Sequence, residues 1–381
     1  MSYFDHNATT PLHPAVKKAM VEALQSDWAN PSAPYRFSAG VRAKIERARE
    51  EVAGCFSADP STLLFTSGAT EAINTFLFHN FQTLDTNKKI LISPFEHPAV
   101  LETAEFWFKK RVDYMPLSDE GDLLLDQVKD LVANGDYGLV CLMAANNETG
   151  VLQPWEELSL HCAENGTSFF CDATQWVGKL DANNLHQCSA YCFSAHKFGG
   201  PKGIGVLFSK EEVCPLIHGG TQENHLRAGT ENFPSMEGLR IACQQCLGST
   251  RFVQPGENGR DHFEEQLIRT LPGIRIVGQG QRRLWNTSLL VMPKFNNLSW
   301  VEKMDKLGYQ ISTGAACSLD KSGARRGLAA FGLSEMDVRQ LIRVSSFWST
   351  GQKDWAGIAD AFVQAYQEME KDAGQSGVIS I

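Results

Sequence analysis

Six short apolar runs, each closed by a polar or glycine-bearing turn, constrain this chain more than any other feature. They are Leu63–Thr66, Ile90–Ser93, Leu139–Met143, Ser168–Cys171, Ala190–Ser194 and Gly205–Phe208. Helical stretches such as 98–110 and 155–165 lie between several of them, and two more are expected ahead of the first run, over 15–25 and 39–55. A strand that is apolar at every position is buried on both faces. Alternation of such strands with helices predicts an α/β fold, with a mostly parallel sheet covered by helices on both sides.

Beyond about residue 255 the order of elements changes. Gln254–Gly259, with its proline and glycines, reads as a linker. A helix at 260–271, strands near 274–277 and 286–292, further helices and a short strand near 342–346 follow. This predicts a large domain over 15–255. A smaller α+β domain takes in 256–381 and is completed by residues 1–14. A chain of 381 residues is long enough for both.

Composition removes several function classes. Hydrophobic residues make up 43% of the chain and charged residues 21%, an ordinary globular balance. The net charge of -9 argues against a nucleic-acid coat or a polybasic membrane binder. No apolar run approaches the roughly 18–20 residues of a membrane span. The start, Met1 to Asn7, has neither a charged leader nor an apolar one, so a cytoplasmic location is expected. Ten scattered cysteines in a chain of this length fit buried thiols in a reducing compartment better than a disulfide scaffold. The one C-x-x-C, Cys243 to Cys246, sits in a helical pattern and reads as packing rather than a zinc site, and no metal is expected.

Open α/β sheets bind ligands beyond the carboxyl ends of their strands. After the first run comes Ser67-Gly68-Ala69-Thr70-Glu71, a glycine turn opening a helix. It suits a phosphate, and equally a plain helix cap. The next ends deliver His97, Asn147, Asp172 with Gln175, and Ser194 with His196 and Lys197. Pyridoxal phosphate demands this set: a lysine for its aldehyde, a carboxylate for its ring nitrogen, a helix N-terminus for its phosphate, an amide for its phenolic oxygen and a side chain to cover its ring. Ser194-Ala195-His196-Lys197 also matches the S-x-x-K of serine acyl-enzymes, but no companion S-D-N or K-T-G occurs. Gly278-Gln-Gly280 lacks the third glycine of a dinucleotide fingerprint. Cys317 lies in a run of small residues, Ser312 to Ser318, either as an exposed reactive thiol or as a chance surface cysteine. Arg343, among apolar neighbours, needs an anion, which a substrate carboxylate or an internal Asp or Glu could supply.

Taken together these blocks resemble the cysteine desulfurases of the nitrogen-fixation and iron–sulfur-assembly type, in the class V aminotransferase branch of fold-type I pyridoxal-phosphate enzymes. The resemblance spans nearly the whole chain, from Asp5-His6-Asn7-Ala8-Thr9-Thr10-Pro11 through Glu96-His97, Asn146 to Gly150, Asp172 to Gln175 and Ser194 to Lys197, then Arg227 to Asn232 and Ser312 to Cys317. It implies a mostly parallel seven-stranded sheet in the large domain, with the cysteine loop on the small one. It implies that Lys197 binds the cofactor covalently, Asp172 holds the ring nitrogen, and His97 covers the ring and relays protons. Ala69, Thr70, Ser194 and His196 would hold the phosphate, with Asn147 and Gln175 on the ring's oxygen side. Thr230 would reach the phosphate of a partner subunit, implying a homodimer. Asn30 and Arg343 would bind the carboxylate of L-cysteine. Cys317 would take its sulfur and pass it to an acceptor protein. An aminotransferase or lyase on the same fold, such as a selenocysteine lyase, is the alternative, as is a sulfur-relay partner without turnover. The chain departs from the family pattern at Tyr35, Asn224 and Phe347, where histidine, arginine and glycine are usual. These changes bear on substrate choice and the sulfur acceptor.

Overall fold

The chain opens with β1 (Ser2–Tyr3), α1 (Pro14–Ser26) and α2 (Arg36–Gly54). It continues through β2 (Leu63–Thr66), α3 (Ala69–Thr83), β3 (Lys89–Ile92), α4 (Pro98–Phe108), β4 (Val112–Tyr114) and α5 (Leu125–Asn134). Next come β5 (Tyr137–Cys141), α6 (Trp155–Glu164), β6 (Ser168–Asp172), β7 (Ala190–Ser194), β8 (Gly205–Ser209) and α7 (Phe233–Leu247). The remaining elements are α8 (Gly259–Thr270), β9 (Arg275–Ile276), β10 (Thr287–Val291), α9 (Asn297–Lys306), β11 (Tyr309–Gln310), α10 (Glu335–Val338), β12 (Leu341–Ser345) and α11 (Gln352–Ser376). This computed structural model describes residues 2–118, 120–247, 259–314 and 331–376, with the side chains of all of these but 247, 375 and 376. Of the expected linker only Gly259 falls within them, and Cys317 lies outside.

Seven strands form one sheet in the order β2-β8-β7-β6-β5-β3-β4. Neighbours from β7 to β4 run parallel, and β8 is antiparallel to both β7 and β2. This is the mostly parallel sheet expected from the apolar runs. The reversal of β8 has a simple cause: the connection from Ala195 to Ile204 is too short for the dozen or so residues a parallel crossover needs. β4 is the strand the runs did not reveal. It lies at the sheet edge, each of Val112, Asp113 and Tyr114 is only half-buried, and an edge strand has no need of a continuous apolar sequence.

Both faces of the sheet are covered. Leu63, Phe65, Val140, Phe169, Phe193 and Val206 point to the side of α1, α2, α6 and α7, while Leu64, Ile90, Leu139, Phe170, Cys192 and Leu207 point to α3 and α4. Successive residues of a strand alternate faces, so both clusters draw on the same short segments. Cys243 and Cys246 of α7 are buried in the first cluster. A separate cluster joins α8, α9 and α11 to the antiparallel sheet β12-β10-β9. Phe4 is 1% exposed within it, and β1 pairs in parallel with β11, so the N-terminal strand is part of this later-sequence core.

Phe170 is fully buried in β6 and stacks on Phe76 of α3 with ring centroids 5.1 Å apart. Phe170→Ala should lower stability by about 3–5 kcal/mol through lost burial and a residual cavity. A urea unfolding curve with an unchanged slope and a lower midpoint is the expected result.

Candidate active site

The carboxyl ends of β2, β5, β6 and β7 open on one cavity of about 300 Å³, a size suited to a small cofactor. Ala69, Thr70, His97, Asn147, Asp172 and Gln175 line it, as do Ser194, His196, Lys197 and Arg343. Two of the residues named from the sequence lie elsewhere. Thr230 is exposed beside Gly229, and Asn30 is exposed with its Oδ1 accepting from the Ser32 N–H at 3.0 Å.

The first wall is the N-terminus of α3. The Ala69 N–H donates to Ser194 Oγ at 2.7 Å, joining the helix start to the end of β7. Gly205 on the intervening strand permits this approach, since a Cβ there would lie 2.6 Å from Gly68 Cα. Glu71 in the first turn accepts from the Ser67 N–H at 2.9 Å and from Arg227 Nε at 2.9 Å. The turn is thereby tied to the segment that leads to Thr230.

His97 caps α4, with Pro98 in the first helical turn, where its missing N–H costs nothing. Its Nδ1 accepts from the Ala99 N–H at 3.1 Å, which puts the proton of a neutral ring on Nε2. The ring faces the open cavity, yet desolvation by surrounding protein and nearby Lys197 lower its pKa, with Asp172 and Glu148 opposing. Asp172 ends β6, is 5% exposed and accepts from the Thr174 N–H through Oδ1 at 2.9 Å.

Lys197 follows β7 in a short 3-10 turn. Its Nζ donates to the carbonyls of Asn7 at 2.6 Å and Ala8 at 3.0 Å. Burial first, then Arg343, lowers its pKa to about 8, against the pull of Asp172, Asp5 and Glu148. His196 Nδ1 lies 3.1 Å from Thr9 Oγ1, and burial with Lys197 and Lys202 takes its pKa down to about 4. Asn147 donates through Nδ2 to Glu148 Oε1 at 2.7 Å, and Gln175 donates through Nε2 to the Asn7 carbonyl at 3.0 Å.

Arg343, in β12, carries internal anions. Its Nη2 donates to Asp5 Oδ1 and its Nη1 to Glu148 Oε1, both at 2.7 Å. Its buried Nε has no partner among the described residues.

Sequence reasoning passed over Asn7, Lys179, Glu96 and Glu148 as site residues. Asn7, Glu96 and Glu148 lie within the family-like segments of the sequence, and Lys179 lies outside them. Glu96 is 4% exposed, and Oε1 accepts from the Met143 N–H at 2.5 Å. Burial and nearby Asp172 hold its carboxyl well above the ordinary range. The density of polar residues in Asp5 to Thr10, ahead of the first helix, was the available signal for Asn7. The departures take unlike positions. Phe347 stacks on His6 with centroids 5.0 Å apart, Tyr35 is exposed at the start of α2, and Asn224 has φ +53 between Glu223 and His225, which are also left-handed. Asparagine adopts that conformation more readily than most residues.

The residues fit pyridoxal phosphate. A buried carboxylate, a lysine with a lowered pKa, an imidazole and a helix N-terminus meet around one space. The Thr174 hydroxyl, lining the same cavity, is buried without a partner among the described residues.

The chain matches the aminotransferase class-V family over residues 2–354 and belongs to it. Class-V aminotransferases and cysteine desulfurases are pyridoxal-phosphate enzymes. The cysteine desulfurase IscS of Dictyoglomus turgidum is 35% identical over 323 residues, covering 83% of this chain and 82% of that protein. Among solved structures, a NifS-like protein superposes with a TM-score of 0.86 at 30% identity, over 97% of this chain and 99% of that one. SspA in complex with cysteine does so with a TM-score of 0.75 at 30% identity, over 91% and 98% of the two chains. No helix among the described residues is long and apolar enough to cross a membrane.

The lowered pKa of Lys197 has a direct readout in cofactor-free protein. Labelling of Lys197 by trinitrobenzenesulfonate, followed by peptide mapping, should rise through a midpoint at about pH 8, because the reactive neutral amine accumulates above the lowered pKa. A midpoint near the ordinary 10.5 would show that burial does not depress it.

Proposed function

We propose that this chain is a cysteine desulfurase, taking sulfur from L-cysteine for iron–sulfur cluster or thio-cofactor synthesis and releasing L-alanine. The observation that carries the reading is the convergence of Lys197, Asp172, His97 and the α3 N-terminus on one cavity in a class-V aminotransferase chain. The desulfurase named among its relatives and the cysteine-bound SspA support the substrate.

Pyridoxal phosphate, when bound, supplies a ring that takes up the electron pair left at the substrate α-carbon. Lys197 would hold its aldehyde carbon. Ala69, Thr70, Ser194 and His196 would hold its phosphate, and Asn147 and Gln175 its oxygen side. Asp172 would face the ring nitrogen and favour a proton there. The lowered pKa of Lys197 makes its Nζ a competent proton acceptor near neutral pH, as a general base requires. His97 would cover the ring and offer Nε2 for proton relay. Arg343 Nε and Asn30 would take the substrate carboxylate, with Asp5 and Glu148 keeping the guanidinium oriented.

Cys317 is the sulfur acceptor in this reading. Its thiolate forms an S–S bond to the substrate sulfur as the substrate Cβ–S bond breaks. The electron pair of that bond stays on the carbon skeleton, which is protonated and leaves as alanine. The persulfide on Cys317 then passes to a thiol of an acceptor protein. Two protomers would complete the enzyme, with Thr230 of each helping to hold the phosphate of the other. Residues 15–255 form the cofactor domain and 256–381 with 1–14 the small one. The separate apolar core containing Phe4 supports that division.

The test is an assay of sulfide and alanine together from L-cysteine and a thiol reductant. Wild type should yield the two in equal amounts, and Cys317→Ser should lose both while keeping the visible absorbance of bound cofactor. Sulfide and alanine unaffected by the substitution would instead assign the chain to a lyase in which Cys317 is incidental.

A further inference from the structure

Lys179 is 4% exposed, yet no carboxylate meets its amine among the described residues. Its Nζ donates to Asn7 Oδ1 at 2.8 Å and to Gln175 Oε1. The turn that delivers it is specific. Gly178 has φ +76, and a Cβ there would lie 2.3 Å from Phe198 Cβ, so the chain can double back beside Lys197 only with glycine at 178. Trp285 Nε1 then pins the Lys179 carbonyl at 3.1 Å. A lysine so enclosed, two bonds from the centre of the site, has a use beyond packing.

We infer that Lys179 is a positioning residue that fixes the amide of Gln175 with its N–H end toward the cofactor's phenolic oxygen. An amide has one acceptor end and one donor end. With Oε1 held by Lys179, Gln175 can only turn Nε2 outward, where one hydrogen meets the Asn7 carbonyl and the other is directed to the cavity that Gln175 lines. Asn7 is fixed in the same way. Its Oδ1 accepts from Lys179 and from Asn286 Nδ2, so Nδ2 faces Asn147 O and Thr287 Oγ1, while its carbonyl accepts from Lys197 Nζ. Burial, with Lys197 and Arg343 close by, pushes the Lys179 pKa well below the ordinary lysine range.

The inference rests on the reading that the cavity holds pyridoxal phosphate. A donor on the phenolic oxygen weakens that oxygen's claim on the proton held at Lys197 Nζ. Loss of the donor therefore raises the pH at which this proton leaves. The other titratable groups around Lys197, namely Arg343, Asp172, Asp5, Glu148, His97 and His196, stay in place in the variants.

The experiment is a pH titration of the visible absorbance of the holoprotein, for wild type, Lys179→Met, Gln175→Ala and the double variant. The midpoint of Lys179→Met should rise by about one pH unit, the scale of one lost hydrogen bond to a charged acceptor. Gln175→Ala should shift similarly, and the double variant no further than Gln175→Ala alone. An unshifted Lys179→Met, or shifts that add in full, overturns the inference. A wild-type protein that binds no pyridoxal phosphate and shows no visible band defeats the underlying reading instead. Should Lys179→Met not fold, a crystal structure of wild-type holoprotein decides. Lys179 Nζ bonded to Gln175, with the phenolic oxygen at the other end of that amide, supports the inference. A ring oxygen directed away from Gln175 overturns it.

Discussion

Each hydrogen-bonding group of Asn7 engages a different part of the molecule. Its N–H donates to Ser345 Oγ on β12, and its carbonyl accepts from Lys197 and Gln175. Its Nδ2 donates to Asn147 O and to Thr287 Oγ1 on β10, and its Oδ1 accepts from Lys179 and Asn286. Asn7 is 1% exposed, so none of these groups can turn to water instead. A buried polar group left unpaired costs about 1–3 kcal/mol, and here each lost partner would strand at least one more group. The strands β10 and β12 are thereby located against the open edge of the large sheet, and the lysine amine against both.

Electrostatics follows from that placement. Lys197 lies among Asp172, Asp5 and Glu148, which favour its charged form, and near Arg343, which disfavours it. Burial tips the balance toward the neutral amine. Arg343 is stabilised by the carboxylates that also act on Lys197, since Asp5 and Glu148 bond it directly. The anion that the sequence required for Arg343 is thus present within the protein. Its Nε, which those two carboxylates leave over, is buried without a partner among the described residues.

Much of this arrangement was legible beforehand, and for a physical reason. A strand buried on both faces must be apolar throughout, so β2, β3, β5, β6, β7 and β8 announced themselves, and the residues at their carboxyl ends were already the candidates for a site. Lys197, Asp172, His97 and Gln175 were reached in this way. Edge strand β4 escaped because its burial is partial. Lys179 escaped because nothing local distinguishes it. A lysine after a glycine looks solvated until the fold buries its amine against Asn7 and Gln175.

The sequence by itself determined the alternation of apolar strands and helices, and with it the one edge of the sheet where polar residues could gather. Those are consequences of short-range periodicity and of the polar turns that end each run. Tertiary structure alone decided the partners: Asn7 with Lys179 and Asp5 with Arg343. These pairs are far apart in the chain, and each side chain could have met water or another ion equally well. Only the closing of two cores around them removes the water, and a buried polar group then takes whichever partner the fold has brought within reach.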